Sequence, residues 1–147
     1  MFLMNKIRRI IVLPAHEKGI VARALFWLWF FRLRNLILPY RLTKKWLSEE
    51  VGTYPTPGLQ NVAIIKGVTR SVRTCSRYVP GATCLTQALA ARAMLRHYGQ
   101  EANIRLGVIK SEVSIDAHAW VEIDGRIVLG QSTNSPHYAV LRPPSWL

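Results

Sequence analysis

The order of the patterned segments is the feature that most constrains this chain. A helix-patterned run covers 83–98 and is followed directly by two strand-like runs, 102–109 and 117–123. Asp124–Gly125 is then a two-residue hairpin signal, which predicts that the chain returns as a third strand over 126–131. Because strands and helices do not alternate as a parallel sheet requires, the order predicts an α+β fold and not a doubly wound one.

The run over 83–98 carries the clearest helix signals in the chain. Thr83 is a preferred residue type for a helix N-cap, and Gly99 stands where a left-handed residue ends a helix. Arg92 and Arg96 fall off an apolar stripe whose small members would let the helix lie close against a sheet. That stripe consists of Cys84, Ala88, Ala91, Leu95 and Tyr98.

A helical lobe is predicted to precede the core. Apolar residues recur near the helical period over 14–46, and 42–50 reads as a second short helix. Glycine and proline then crowd into 52–58, which predicts a turn-rich linker. The run 59–79 fits a helix better than a strand. We therefore divide the chain into an N-terminal helical lobe and linker over 1–58 and a core domain over 59–147.

Basic residues are concentrated at the N-terminal end. The net charge is +12, and residues 1–47 hold ten basic side chains against one acidic side chain, which gives +9 of that total. Summed charge steers association without specifying the partner, so nucleic acid, anionic lipid and an acidic peptide all fit, as does a solvated surface. No nucleic-acid-binding motif is recognisable, and we expect no nucleic-acid partner.

Length and cysteine content favour a cytoplasmic protein. At 147 residues the chain can bury a sizeable core, and its two cysteines are too few for a disulfide framework. Basic residues interrupt 1–12, which therefore lacks the form of a signal peptide. The most apolar stretch, 20–31, contains Arg23 and is shorter than the roughly 20 residues that cross a bilayer, although peripheral membrane contact stays open.

Cys84 and His118 are the candidate catalytic pair. A helix N-terminus stabilises a thiolate, the nucleophilic form of cysteine, through its unpaired N–H groups and its dipole. An imidazole on a neighbouring strand can take up the proton and return it. Each residue alone is more typical of a structural role, such as an inert core thiol or a histidine bonded to a carbonyl. The pair is typical of cysteine hydrolases.

The hairpin predicts a third member of the site. If Asp124–Gly125 is a two-residue loop, the ladder places His118 opposite Gln131. Directly opposed side chains are about 5 Å apart at Cβ, so the Gln131 amide oxygen could accept a hydrogen bond from the imidazole. An amide orients the ring but stabilises an imidazolium less than a carboxylate does. A bulge would bring Gly130 opposite instead.

These motifs resemble those of the lasso-peptide biosynthesis B2 proteins, which are leader peptidases of the transglutaminase-like, papain-related cysteine protease group. The similarity is strong over 83–132 and looser over 13–47. It rests on three segments: Cys84-Leu85-Thr86-Gln87-Ala88-Leu89-Ala90, Leu106-Gly107-Val108, and Ala117-His118-Ala119-Trp120-Val121-Glu122 before Asp124-Gly125-Arg126.

The resemblance implies a transglutaminase-like core in which a nucleophile helix packs on an antiparallel sheet. It implies that Cys84 attacks the peptide bond after the leader of a ribosomally made precursor. His118 would act as general base and acid, and the Cys84 N–H would hold the oxyanion. Many relatives carry an aspartate at or beside the position of Gly130, and this chain has none there.

The resemblance also implies partners. They are the leader of the precursor peptide, a separate leader-recognition protein, and an ATP-dependent macrolactam synthetase that closes the ring. The aromatic and basic surface around Trp27, Trp29 and Arg32 is predicted to contact the recognition protein or the leader, with Arg34 beside it.

Two other functions remain open. One is a transglutaminase-like acyl transferase or amidase, in which an amine accepts the acyl group instead of water. The other is a basic module that binds nucleic acid or a membrane surface without catalysis. No metal or other cofactor is expected, because the cysteines and histidines include neither a close cysteine pair nor a paired-histidine helix. The candidate ligands are Cys75, Cys84, His97, His118 and His137.

Overall fold

The computed structural model of the chain describes residues 15–37, 61–110, 115–131 and 139–140. Within these ranges it contains three α-helices: α1 (Ala15–Ile37), α2 (Val62–Cys75) and α3 (Cys84–His97). They are followed by four strands: β1 (Asn103–Lys110), β2 (Ile115–Ile123), β3 (Arg126–Leu129) and β4 (Ala139–Val140). The strands form one antiparallel sheet in the order β3-β2-β1-β4, which confirms the predicted α+β class.

Helix α1 shares its core with the rest of the fold. Ala24, Leu28 and Phe31 are buried in a cluster that also contains residues of α2, α3 and the sheet. The predicted short helix over 42–50 and the predicted linker over 52–58 lie outside the described residues. The division at residue 58 therefore stays a prediction. None of the described helices is long and apolar enough to cross a bilayer.

Helix α2 confirms the helical interpretation of its segment. It begins behind Asn61, whose side-chain oxygen accepts from the N–H groups of Ala63 at 3.1 Å and Ile64 at 3.2 Å. The Asn61 N–H donates to the side chain of buried Gln100 at 3.0 Å, which ties the start of α2 to the residue that follows the α3 cap. The apolar face of α2 then packs into the core through Ile65, Val68 and Val72.

Helix α3 lies between the other two helices and the sheet, and it contacts α1, α2, β1 and β2. Its predicted ends are confirmed: Thr83 is the N-cap, and Gly99 has a φ of 69° beyond the last turn. The stripe predicts that Arg92 lies away from the packed face, and this is wrong, because Arg92 is only 8% exposed. A helix with neighbours on several sides buries more than one stripe.

Alternation gives strand β2 two different faces. Ala119 and Val121 belong to the core cluster on the side of the helices. His118 and Trp120 lie on the opposite face, because successive side chains of a strand alternate. The apolar half of the strand therefore anchors the sheet to α3, and the other half is available to carry functional groups.

Candidate active site

Cys84 is the first residue of α3 and carries a free, half-buried thiol. Thr83 precedes it in an extended conformation, and its Oγ1 accepts from the N–H of Thr86 at 3.3 Å. The hydroxyls of these two threonines lie 3.1 Å apart, and Thr86 is buried. The cap fixes the residue at which the helix begins. N–H groups of the first turn lack partners within a helix, so an oxyanion formed beside Cys84 would find donors there.

His118 lies in β2 opposite Gly107 of β1 and is half-buried. Its Nε2 lies 2.6 Å from the carbonyl oxygen of Gly130. A carbonyl oxygen only accepts, so this contact assigns the proton to Nε2 and leaves Nδ1 as the basic nitrogen of the neutral ring. A bond of this kind also holds structural histidines. It defines the orientation of the ring and not its role.

A carboxylate holds the residues that flank His118 on its face of the sheet. Glu122 accepts from Trp120 Nε1 at 2.6 Å and from Arg105 Nε at 3.2 Å. The Trp120 ring, which is 3% exposed, is stacked beside the His118 ring with centroids 6.2 Å apart. Sequence interpretation missed this network. The signal was the spacing of His118, Trp120 and Glu122, which places all three on one face of a strand.

The hairpin begins as predicted and then changes register. Asp124–Gly125 forms the turn with φ values of 48° and 73°, as a two-residue primed turn requires, and Ile123 pairs with Arg126. Beyond Glu122 the pairing shifts by one residue, so that Val121 pairs with Leu129, where β3 ends. The bulge puts one extra residue into β3.

The shift makes the predicted position of Gln131 wrong, because Gln131 does not occupy the ladder position opposite His118. Its side chain is exposed, and its role as the residue that orients the imidazole stays a prediction. Gly130 instead presents its carbonyl to the ring. Gly130 has a φ of 85°, and a Cβ there would lie 2.8 Å from the Ala119 oxygen and 2.9 Å from Trp120 Cβ. Only glycine fits this site without a shift.

The elements that carry Cys84 and His118 are packed neighbours, since α3 lies against β2. Their contact is made by small apolar residues of the core, such as Ala88 and Ala91 of α3 and Ala119 of β2. The structure thus brings helix and strand together as the sequence predicts. A direct meeting of the thiol and the imidazole stays a prediction.

The second cysteine has a different environment. Cys75 is the last residue of α2, is 2% exposed, and has its Sγ 3.9 Å from the Val21 carbonyl oxygen. Burial raises the pKa of the Cys75 thiol from 9.0 to about 11. Of the other candidate ligands, His97 is exposed and His137 lies outside the described residues. In the described part of the chain, no three acidic, cysteine or histidine side chains are grouped to hold a metal ion.

A known protein-family model matches most of this chain. The model of the transglutaminase-like superfamily matches residues 25–142, which is most of the chain. The chain therefore belongs to the transglutaminase-like superfamily, whose domains are typically built like cysteine proteases. The match begins within α1 and includes the helix that starts at Cys84 and the strand that carries His118. No curated protein and no solved structure matches the chain significantly.

Proposed function

We propose that the chain is a cysteine peptidase that removes the leader from a lasso-peptide precursor. The observation that carries the proposal is the placement of Cys84 as the accessible first residue of a capped helix in a transglutaminase-like chain. Cysteine proteases use a thiolate at a helix N-terminus as nucleophile. The narrower assignment to lasso-peptide precursors rests on the sequence resemblance alone.

In the proposed reaction His118 Nδ1 takes the proton of the Cys84 thiol, and the sulfur attacks the carbonyl carbon of the last leader residue. The resulting oxyanion is stabilised by the Cys84 N–H at the helix start. His118 then gives the proton to the leaving amine, which is the new N-terminus of the core peptide. Water, deprotonated by the same imidazole, hydrolyses the thioester and releases the leader with a free carboxylate.

Chain direction supports an encounter between the two groups. Helix α3 ends at His97 and β1 begins at Asn103, so only 98–102 connect them. A short connection between packed neighbours reverses the chain, which puts the start of α3 toward the half of the β1–β2 ladder that runs from the Gly107–His118 pair to the Lys110–Ile115 pair. Cys84 packs against the helix side of the core. His118 lies on the other face of β2, so the proposal requires the thiol to reach the ring past this half of the ladder, where Ala117 is exposed.

The outer face of α1 supports the proposed partner. Large apolar side chains three and four residues apart lie exposed on it: Phe26, Trp29, Phe30, Leu33, Leu36 and Ile37. Trp27 packs against the core, and Arg32 donates to the Pro80 carbonyl, so neither is a simple surface group. We propose that this outer face contacts the leader-recognition protein, which brings the precursor to Cys84 before a macrolactam synthetase closes the ring.

The decisive experiment incubates the chain with a lasso-peptide precursor and its leader-recognition protein. Mass spectrometry should find a leader and a core peptide whose masses sum to the precursor plus one water. Cys84→Ala and His118→Ala should abolish the cleavage, and Cys75→Ala should retain it. Cleavage by Cys84→Ala would remove the thiol mechanism.

For the α1 outer face, Trp29→Ser should raise KM for the precursor presented by the recognition protein, whereas the exposed control Tyr78→Ser should not.

The superfamily match also favours a second candidate, acyl transfer to an amine. The same thioester would then be attacked by an amine, and the product would be a conjugate of the two reactants. The product mass separates the candidates, because transfer retains the acyl fragment on the amine and hydrolysis adds one water to it.

A further inference from the structure

The segment that leads into Cys84 is a tight turn. The Ala82 N–H donates to the Val79 carbonyl at 3.1 Å, with Pro80 and Gly81 as the central pair. Gly81 has a φ of 72°. Proline followed by a left-handed glycine is the signature of a type II turn. Val79 is buried, so the first residue of the turn is anchored in the core, and the last leads directly to the Thr83 cap.

Arg32 of α1 lies on this turn. Its Nε donates to the Pro80 carbonyl at 3.0 Å across 48 residues of sequence. The guanidinium also occupies the place of a side chain at Gly81. A Cβ added there would lie 2.7 Å from Arg32 Cζ and 2.8 Å from Arg32 Nε. The glycine is thus needed twice, for its backbone angle and for the close approach of Arg32.

The geometry points to Arg32 as a positioning residue that sets the location of Cys84 by holding the Val79–Ala82 turn against α1. Only Gly81 and Ala82 separate Pro80 from Thr83, and Cys84 comes next, so a displacement of the turn is passed directly to the helix start. A misplacement of about 1 Å in a reacting group lowers rates strongly. The inference deepens the proposed function, because it links the helix that carries the proposed partner face to the proposed nucleophile.

The test uses a reaction that needs no peptidase activity. The rate of Cys84 alkylation by iodoacetamide is measured by peptide mass in a Cys75→Ala background. Arg32→Ala should lower this rate about three- to ten-fold, and Arg32→Lys should restore part of it because an ammonium can still donate to the carbonyl. Arg70→Ala, which removes a charge from an exposed position of α2, is the matched control and should leave the rate unchanged.

Gly81→Ala gives a second, independent test. Alone it should also lower the alkylation rate, since its methyl displaces the guanidinium. In an Arg32→Ala background the added methyl no longer meets a guanidinium. Gly81→Ala should therefore lower the alkylation rate by a smaller factor than it does with Arg32 present. Circular dichroism of each variant checks that the helices remain formed. For variants that remain folded, the alkylation rate of the double variant is compared with the rate expected if the two single effects were independent.

Two results would overturn the inference: an Arg32→Ala rate equal to that of Arg70→Ala, or additive effects of Arg32→Ala and Gly81→Ala. In a cleavage assay Arg32→Ala should lower kcat and leave KM for the precursor unchanged, whereas a residue that only binds the partner would raise KM. If the wild type cleaves nothing while Arg32→Ala still slows alkylation, the proposed function fails and the positioning role stands.

Discussion

Cys75 and Cys84 are the same residue type nine positions apart, at opposite kinds of helix end. Cys75 closes α2 inside the core, where burial raises the pKa of its thiol to about 11. Cys84 opens α3 behind a threonine cap and remains half-exposed. Helix C-termini disfavour negative charge and helix N-termini stabilise it. The comparison shows that position within the fold, more than residue type, decides which thiol is suited to chemistry.

The largest expected effect separates the two thiols in the cleavage reaction. Cys84→Ala removes the proposed nucleophile and should lower kcat/KM for the precursor by about 10³-fold or more. Cys75→Ala should stay within about three-fold of wild type, because its thiol is buried away from substrate. Both are measured by quantifying released leader over time. Equal losses in the two variants would break the comparison.

The second effect concerns reactivity without substrate. Iodoacetamide should modify Cys84 about 10²-fold faster than Cys75 at pH 8, because Cys84 is accessible, whereas Cys75 is buried and burial raises the pKa of its thiol. Peptide mass spectrometry of trypsin-digested samples resolves the two sites. Denatured protein is the control, since both thiols should then react at similar rates. A native protein with similar rates at the two sites would show that Cys75 is not protected.

A third prediction asks which group orients His118. Gly130→Ala places a methyl against the Ala119 oxygen and Trp120 Cβ, so the carbonyl that holds the ring must move. Its kcat should fall about 10- to 100-fold, with a smaller change in KM. Gln131→Ala is the matched variant and should stay within about two-fold. The reverse order would restore Gln131 as the orienting residue.

The contrast between Gly130 and Gln131 shows which features of the site can be predicted from the sequence and which cannot. Local signals were sufficient for the Thr83 cap and the Asp124–Gly125 turn, because each depends on residues a few positions apart. The sequence left a bulge in β3 open as an alternative but could not decide it, since the register depends on packing across the ladder and not on the turn residues alone. A one-residue shift was enough to move a side chain out of the predicted site.

The same limit applies to long-range contacts. The stripe on α3 predicted one packed face, but Arg92 is buried on a helix that contacts α1, α2 and the sheet, and the helical period does not reveal those neighbours. The Pro80–Gly81 pair predicts a turn from the sequence alone. That Arg32 lies on this turn follows only from the packing of α1, which no local pattern contains.

The fourth prediction uses the titration of the buried thiol. An unfolded cysteine ionises near pH 9.0, whereas burial raises the pKa of Cys75 to about 11. Between these values the unfolded chain loses a proton that the folded chain keeps, so the free energy of unfolding falls as pH rises and levels off above about pH 11. We expect a loss of about 1 to 2 kcal/mol, since one pKa unit corresponds to about 1.4 kcal/mol and solvent reduces the full effect.

Urea unfolding at pH 8 and pH 10.5 measures this loss, and Cys75→Ala is the reference. The variant has lower stability at both values because it leaves a small cavity, yet its pH dependence should be weaker than that of wild type. Other groups that titrate in this range contribute equally to both proteins, so their contributions cancel when the pH dependence of the variant is subtracted from that of wild type. Identical pH dependences would mean that the Cys75 thiol ionises as readily in the folded chain as in the unfolded one.

The smallest expected effect tests the cap that distinguishes the two helix ends. Thr83→Ala removes the acceptor for the Thr86 N–H and should lower the free energy of unfolding by about 1 kcal/mol. Cys84 alkylation should slow by about two- to five-fold, because the first turn frays and its N–H groups are less well aligned beside the sulfur. Thr83→Ser keeps the acceptor and should behave as wild type in both measurements. If Thr83→Ala lost stability while Cys84 alkylation stayed at the wild-type rate, the helix end would matter for folding only, and the difference between the two thiols would reduce to their exposure.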